Sequence, residues 1–419
     1  MKLPRCIMTV VALFALAVGV LGCGNKTDTT QTTAPASSET TAVSGGETTT
    51  PVDVAGKGVD TEKKIIHIAL LGPMSGNSAE YGKSQERGSK TFEKLEMPIA
   101  AGPFQGYSFD YQVFDGRADP KEAANIAQQI VMGDYYAVVG SSLSLEALAA
   151  APILDRENIT IHTTFAASSK LTSSGWNNTV MAFPMAEVEG AAGADIVITK
   201  MGKKRVVEFY ENSPYGQGLH AGFVARVKEL GGEVIKSYTN DAKADVDFSA
   251  ALTEIKDLGA DAIFLSETYE PAGVIMAQVV KMGIDLPIAA CSGALDKTAV
   301  EMAGGESAVA KVQWLSLFSP ESTRPKVQAF VREYQAENGF VPDDAAALTY
   351  DALLGVKAAL ENGVVARKDL AAMLRSDKLQ PYEGITNPAI KHDATGNIIG
   401  SQLLIVIYKD GKFQLAPGQ

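Results

Sequence analysis

The chain is poor in the residues that most often build reactive centres. Its 419 residues include only three cysteines and four histidines. Cys6, Cys23 and Cys291 are too few for a disulfide scaffold. His67, His162, His220 and His392 are scattered, without the HxxxH or CxxC spacing that assembles a metal site. Cationic side chains are in deficit: 37 Lys and Arg face 49 Asp and Glu, a formal net charge of -12. That sign disfavours a phosphate-backbone partner. No apolar run reaches the ~20 residues of a spanning helix, and neither a GxSxG elbow nor a GxxxxGK[ST] phosphate loop occurs. These gaps argue against a disulfide-stapled miniprotein, a nucleic-acid binder and a multi-spanning membrane protein. No cofactor, metal or catalytic residue is expected.

What is present is an ordinary globular balance, 46% hydrophobic and 21% charged, at a length that suggests two or three domains. The N-terminus is different. Lys2 and Arg5 precede an apolar run from Ile7 to Leu21, which meets Gly22 and Cys23. A basic start followed by about 15 apolar residues and small residues reads as a secretory signal over 1–22. A membrane-anchor helix is the alternative. Val20-Leu21-Gly22-Cys23 resembles a bacterial lipobox, with Val in a first position where Leu is more usual. The resemblance implies cleavage before Cys23, which becomes the mature N-terminus, and its diacylation, enough for stable anchoring. The mature chain then carries 35 Lys and Arg against 49 acids, a net charge of -14. From Gly24 to about Asp60 the chain is rich in Thr, Ser, Ala and Gly and holds no aromatic residue. Such a stretch buries too little apolar area to offset chain entropy, so 23–61 reads as a lipidated Cys with a disordered tether.

Beyond Lys64, short β-branched runs alternate with longer helical patterns. IIHIALLG (65–72) ends in Gly-Pro as a buried parallel strand should. SFDYQVF, YYAVVG, ITIHTT, RVVEFY, EVIKSY, DAIFLS, PIAACS and SQLLIVIY repeat the strand signal. Asp119-Pro120 opens a helix as N-cap and N1. The βαβα succession means α/β architecture with parallel sheets. About ten strands divide more naturally between two Rossmann-like lobes than within one sheet.

Polar residues gather where strands end, which is where open α/β sheets bind ligands. Ser144 follows YYAVVGSSL and starts a helix; it is either a ligand to a carboxylate or a plain N-cap. Tyr81 and Tyr215 follow strand-end loops in GNSAEYG and ENSPYGQG, where a flat ring and a hydroxyl suit closure over a small ligand. Gly216-Gln217-Gly218-Leu219-His220-Ala221 matches GxGxxG/A, but five residues separate it from the strand, so a glycine-rich helix start is the better reading.

The landmarks IALLGPMSGNSAEYG, DGRADPKEAANIAQQIV, AVVGSSLSLEALAAAPIL, SSKLT, YENSPYGQGL, DVDFSAALTEIKDLGADAIFL and AALTYDALLGVKAAL stand in order between Lys64 and Phe413. In this order they resemble the type I periplasmic solute-binding proteins of ABC transporters, the leucine/isoleucine/valine-binding branch. The resemblance implies two lobes with parallel central sheets joined by three crossover strands. Lobe 1 would comprise 62–185 and 313–397, and lobe 2 186–312 and 398–419, with crossings near Ala186, Lys311 and Ile398. It also implies that Ser144 grips the ligand carboxylate and that Tyr81, Tyr215 and Tyr269 line the cleft. Two positions depart from the family. Ala167 stands where a Thr hydroxyl is usual, and Ser292 stands where an acid meets the α-amino group. Glu267, Glu270 or Asp296 is expected to compensate unless each is a solvated loop charge. Phe165 adds bulk beside the site.

The expected function is a lipid-anchored extracytoplasmic receptor, a monomer, that captures a small solute by hinge closure and hands it to permease subunits. A branched-chain or related amino acid heads the expectation, and a carboxylate or amide lacking the amine is the alternative. A ligand sensor facing a signalling partner and a nucleotide-binding α/β enzyme are the other readings.

Overall fold

A computed structural model describes residues 52–241 and 247–418. The signal segment, Cys23 and the tether as far as residue 51 lie outside the described residues. The strands are β1 (Val59–Asp60), β2 (Ile65–Gly72), β3 (Ser108–Asp115), β4 (Ala137–Gly140), β5 (Thr160–Thr163) and β6 (Thr179–Met181) in a first sheet. A second sheet holds β7 (Arg205–Glu211), β8 (Glu233–Asn240), β9 (Ala262–Ser266), β10 (Ile288–Ala290), β11 (Val312–Ser316), β12 (Leu404–Lys409) and β13 (Lys412–Leu415).

Helices cover both sheets. Those preceding the first crossing are α1 (Ala79–Glu96), α2 (Pro120–Met132), α3 (Ser144–Arg156) and α4 (Lys170–Ser173). Then follow α5 (Ala186–Ala194), α6 (Pro214–Glu229), α7 (Ser249–Leu258), α8 (Tyr269–Lys281) and α9 (Lys297–Ala303). The last are α10 (Pro325–Asn338), α11 (Asp344–Glu361) and α12 (Leu370–Leu374), of which α10 and α11 return to pack on α1. Because helices lie on both faces, β4 and β9 are buried along their whole length. Asp119 caps α2 by accepting from Lys121 and Glu122 N–H, with Pro120 at N1. Among the described residues no helix is long and apolar enough to cross a membrane.

Strand order positions the site. The first sheet runs β3-β2-β4-β5-β6 with all pairings parallel, and β1 lies antiparallel along the start of β2. The chain therefore steps one way from β2 to β3 and the other way to β4, a topological switch point at the ends of β2 and β4. The second sheet runs β8-β7-β9-β10-β11, parallel, then β12 and β13 antiparallel. Its switch point lies at the ends of β7 and β9. Ligands bind outside the carboxyl ends of strands at such points.

Two sequence boundaries move. The tether was expected to continue to residue 61, but Val59–Asp60 pairs with β2, and Gly58 N–H donates to Asp134 Oδ1 at 2.7 Å. The second crossing was placed near Lys311 with residues from 313 in the first lobe. Instead β11 pairs with β10 and β12, so the chain leaves the second sheet only after Ser316. Burial of Trp314 and Leu315 within that sheet explains the difference.

Candidate ligand-binding site

On the first-sheet side, Gln85 of α1 ties the two switch-point strands together. Its amide donates to the carbonyls of Leu71 and Val139 and accepts from Ser142 Oγ at 3.0 Å. Gly140 has φ +116°, and a Cβ there would meet Leu71 O at 1.9 Å, so the turn into α3 requires glycine. Ser144 is the first residue of α3 and not its cap. Its hydroxyl accepts from the N–H groups of Ala167 and Ser168 at 3.0 and 3.1 Å. It therefore holds the 165–168 loop against the helix start. The N–H groups of that first turn have no intrahelical acceptor and aim positive potential at the space beyond.

Phe165 packs edge-on against Tyr81 at 5.5 Å and Phe183 at 4.9 Å. Tyr81 in turn packs edge-on against Tyr269 of α8 at 5.1 Å. The Tyr81 hydroxyl donates to the carbonyl of Gly293, which follows β10, so this ring bridges the two sheets. Burial raises the Tyr81 and Tyr269 hydroxyls well above the usual phenol range. Glu270 adds a second bridge, accepting from Ser78 N–H at 2.5 Å.

The second-sheet side carries the acids. Glu211 ends β7, and its Oε2 accepts from Thr268 Oγ1 at 2.8 Å and Thr268 N–H at 3.3 Å. Burial raises its carboxyl, while hydrogen bonds from Ser213 and Thr268 act in the opposite direction. Glu189 of α5 is fully buried and accepts from three donors: Ser292 N–H and Oγ at 2.6 Å each, and the Tyr215 hydroxyl at 2.9 Å. Ser292, the position where the resemblance led to the expectation of an acid, is thus a donor to an acid from another element.

A cavity of about 20 Å3, room for one water, separates these groups. The first-sheet lining is Tyr81, Ser142, Leu143, Ser144, Leu145 and Phe165; the second-sheet lining is Glu211, Ser213, Tyr215, Thr268 and Gly293. Of the residues expected from sequence, Tyr81, Ser144, Phe165 and Tyr215 meet here. Tyr269 stands behind Tyr81, and Ala167 is buried with its N–H spent on Ser144. None of the three expected compensating acids lines the cavity. Glu267 accepts from Asn240 Nδ2, Glu270 holds Ser78, and Asp296 caps α9 through Thr298 N–H. Glu211, Ser142, Thr268 and Gly293 were missed. The signal for Glu211 was its place as the last residue of a strand, one step before the short loop into α6, the helix that carries Tyr215.

The glycines after Tyr215 serve packing. A Cβ on Gly216 would meet Glu211 O at 2.2 Å, and one on Gly222 would meet Glu187 O at 2.0 Å. They let α6 close onto the end of β7 and onto α5. A larger cavity of about 460 Å3 lies among Arg87, Asp296, Phe340 and Asp343. Asp296 and Asp343 are occupied there as helix caps, and the smaller cavity alone has the two switch points on its walls. Among the described residues no group of three His, Cys, Asp or Glu is placed to hold a metal ion.

Comparison with known proteins agrees with this geometry. The amino acid binding protein of Pseudomonas aeruginosa is 25% identical over 356 residues, covering 84% of this chain and 92% of its own. The branched-chain amino acid transporter substrate binding protein LivJ of Streptococcus pneumoniae, solved in complex with isoleucine, superposes with a TM-score of 0.76 at 26% identity. That match covers 84% of this chain and 99% of LivJ. A solute binding protein of an ABC transporter from Rhodopseudomonas palustris, in complex with 3,4-dihydroxybenzoic acid, gives 0.74 at 22% identity over 84% and 96%. At that identity the likeness is one of fold. The periplasmic binding protein family model matches residues 65–412, a span that includes strands β2 to β12 and both walls of the cavity, and the chain belongs to that family.

Proposed function

We propose that this protein captures a small solute between the two switch points and delivers it to an ABC permease. The observation that carries the reading is one cavity walled by strand ends of both sheets, with a helix N-terminus on one wall and an acid on the other. No bond is made or broken. A solute that binds both walls favours the closed arrangement by its differential affinity for that arrangement. The proposed lobes follow the strand pairing: residues 58–185 and 317–398 around the first sheet, 186–241, 247–316 and 399–418 around the second. In the cavity, 20 Å3 is too little for an amino acid, so Tyr81 and Phe165 must swing aside as solute enters.

Relatives that bind amino acids and the similarity to LivJ support an amino acid as cargo. The test is a melting assay with leucine, isoleucine, valine and benzoate. A bound solute at 100 times its dissociation constant stabilises the protein by about 2.7 kcal/mol. Failure of every one of these compounds to shift the transition argues against the reading.

We infer further that Cys23 is acylated and holds the receptor outside the cytoplasm at the membrane, since an apolar run and small residues end on it. A Cys23→Ser protein should incorporate no labelled fatty acid; incorporation in that variant contradicts the anchor.

A further inference from the structure

Resting on that reading of the cleft, we propose that Glu211 is the counter-ion for a ligand ammonium, so that the cargo is an α-amino acid zwitterion and not a simple carboxylate. Glu211 is the one charged side chain lining the cavity. Its residue is 6% exposed, and the electrostatic neighbour acting on it is another acid, Glu270. No cation of the described residues balances it. Thr268 and Ser213 supply hydrogen bonds but no charge. A carboxylate offers about four lone-pair sites, so the donors from Thr268 and Ser213 leave acceptor capacity.

The opposite wall has the opposite character. Free N–H groups at the start of α3, beside Ser142 and Ser144, suit a carboxylate. A zwitterion places one charge on each wall. A carboxylate without an amine would sit in the same small space as a buried, unbalanced Glu211, which is costly. The other acids nearby, Glu189, Glu267 and Glu270, do not line the cavity: Glu189 accepts from Ser292 and Tyr215, Glu267 from Asn240 and Glu270 from Ser78.

The test is calorimetric titration of the full chain with L-leucine and with 4-methylpentanoate, its deaminated counterpart. Wild type should prefer leucine, and Glu211→Gln should lose about 100-fold in leucine affinity and most of that preference. Its melting temperature without ligand should not fall, because a desolvated charge is removed. Glu211→Asp, which keeps the charge on a shorter arm, should retain part of the leucine affinity, and Glu267→Gln should bind leucine as wild type does. Leucine binding that survives Glu211→Gln overturns the proposal, as does a wild type that takes 4-methylpentanoate as tightly as leucine. A wild type that binds none of the twenty amino acids also overturns it, even if benzoate binds and solute capture stands. If Ser144→Ala and Tyr215→Ala both leave leucine affinity unchanged, the cleft reading fails instead.

Discussion

Ser144 shows how one hydroxyl can serve both architecture and recognition. From sequence it is a ligand group or a helix cap; in the fold it is the acceptor for two N–H groups of the 165–168 loop. Its substitution is therefore not neutral for folding. Ser144→Ala leaves two buried donors without their acceptor, which costs about 1–3 kcal/mol each when unmet. Urea unfolding should show a lower midpoint with an unchanged slope, and solute affinity should fall with it as Phe165 loosens. An unchanged midpoint would mean that the loop holds itself. The same scale accounts for what sequence could not reveal. Glu189 and Ser292 are 103 residues apart yet share a hydrogen bond, and no local pattern announces that pairing. Glu267 and Glu270 stand close in sequence to Tyr269, but the start of α8 turns one toward Asn240 and the other toward Ser78.

Elements were far more legible than contacts. Parallel strands covered on both faces read as unbroken apolar runs, so β2, β4 and β9 stand out as IIHIALLG, AVVG and AIFLS. Asp119-Pro120 marked the start of α2 because cap and N1 are local chemistry. The Asp410-Gly411 pair, with φ +54° and +75°, makes the two-residue turn of the β12–β13 hairpin. β1 was lost in the polar tether because a two-residue strand has no periodicity to detect. β11 was assigned to the other lobe because strand partners are set by tertiary packing. The glycine motif after Tyr215 illustrates the limit of pattern matching. Its spacing suits a dinucleotide loop, but the atoms a Cβ would strike belong to Glu211, Ala186 and Glu187. Those glycines bring α6 against α5 and seat Glu211 at the cavity edge.

At the scale of the molecule, the arrangement is already closed around a nearly filled space. Tyr81 reaches Gly293 and Glu270 reaches Ser78, both across the gap between the sheets. Solute must replace these contacts, so affinity depends on groups from both walls. The direct measurement is calorimetric titration of the tightest-binding solute against wild type, Phe165→Ala from the first wall and Tyr215→Ala from the second. Capture between the walls predicts one solute per chain and a loss of affinity of about tenfold or more in each variant, the range for truncating a buried contact. Full affinity in either variant, or more than one solute per chain, would contradict it.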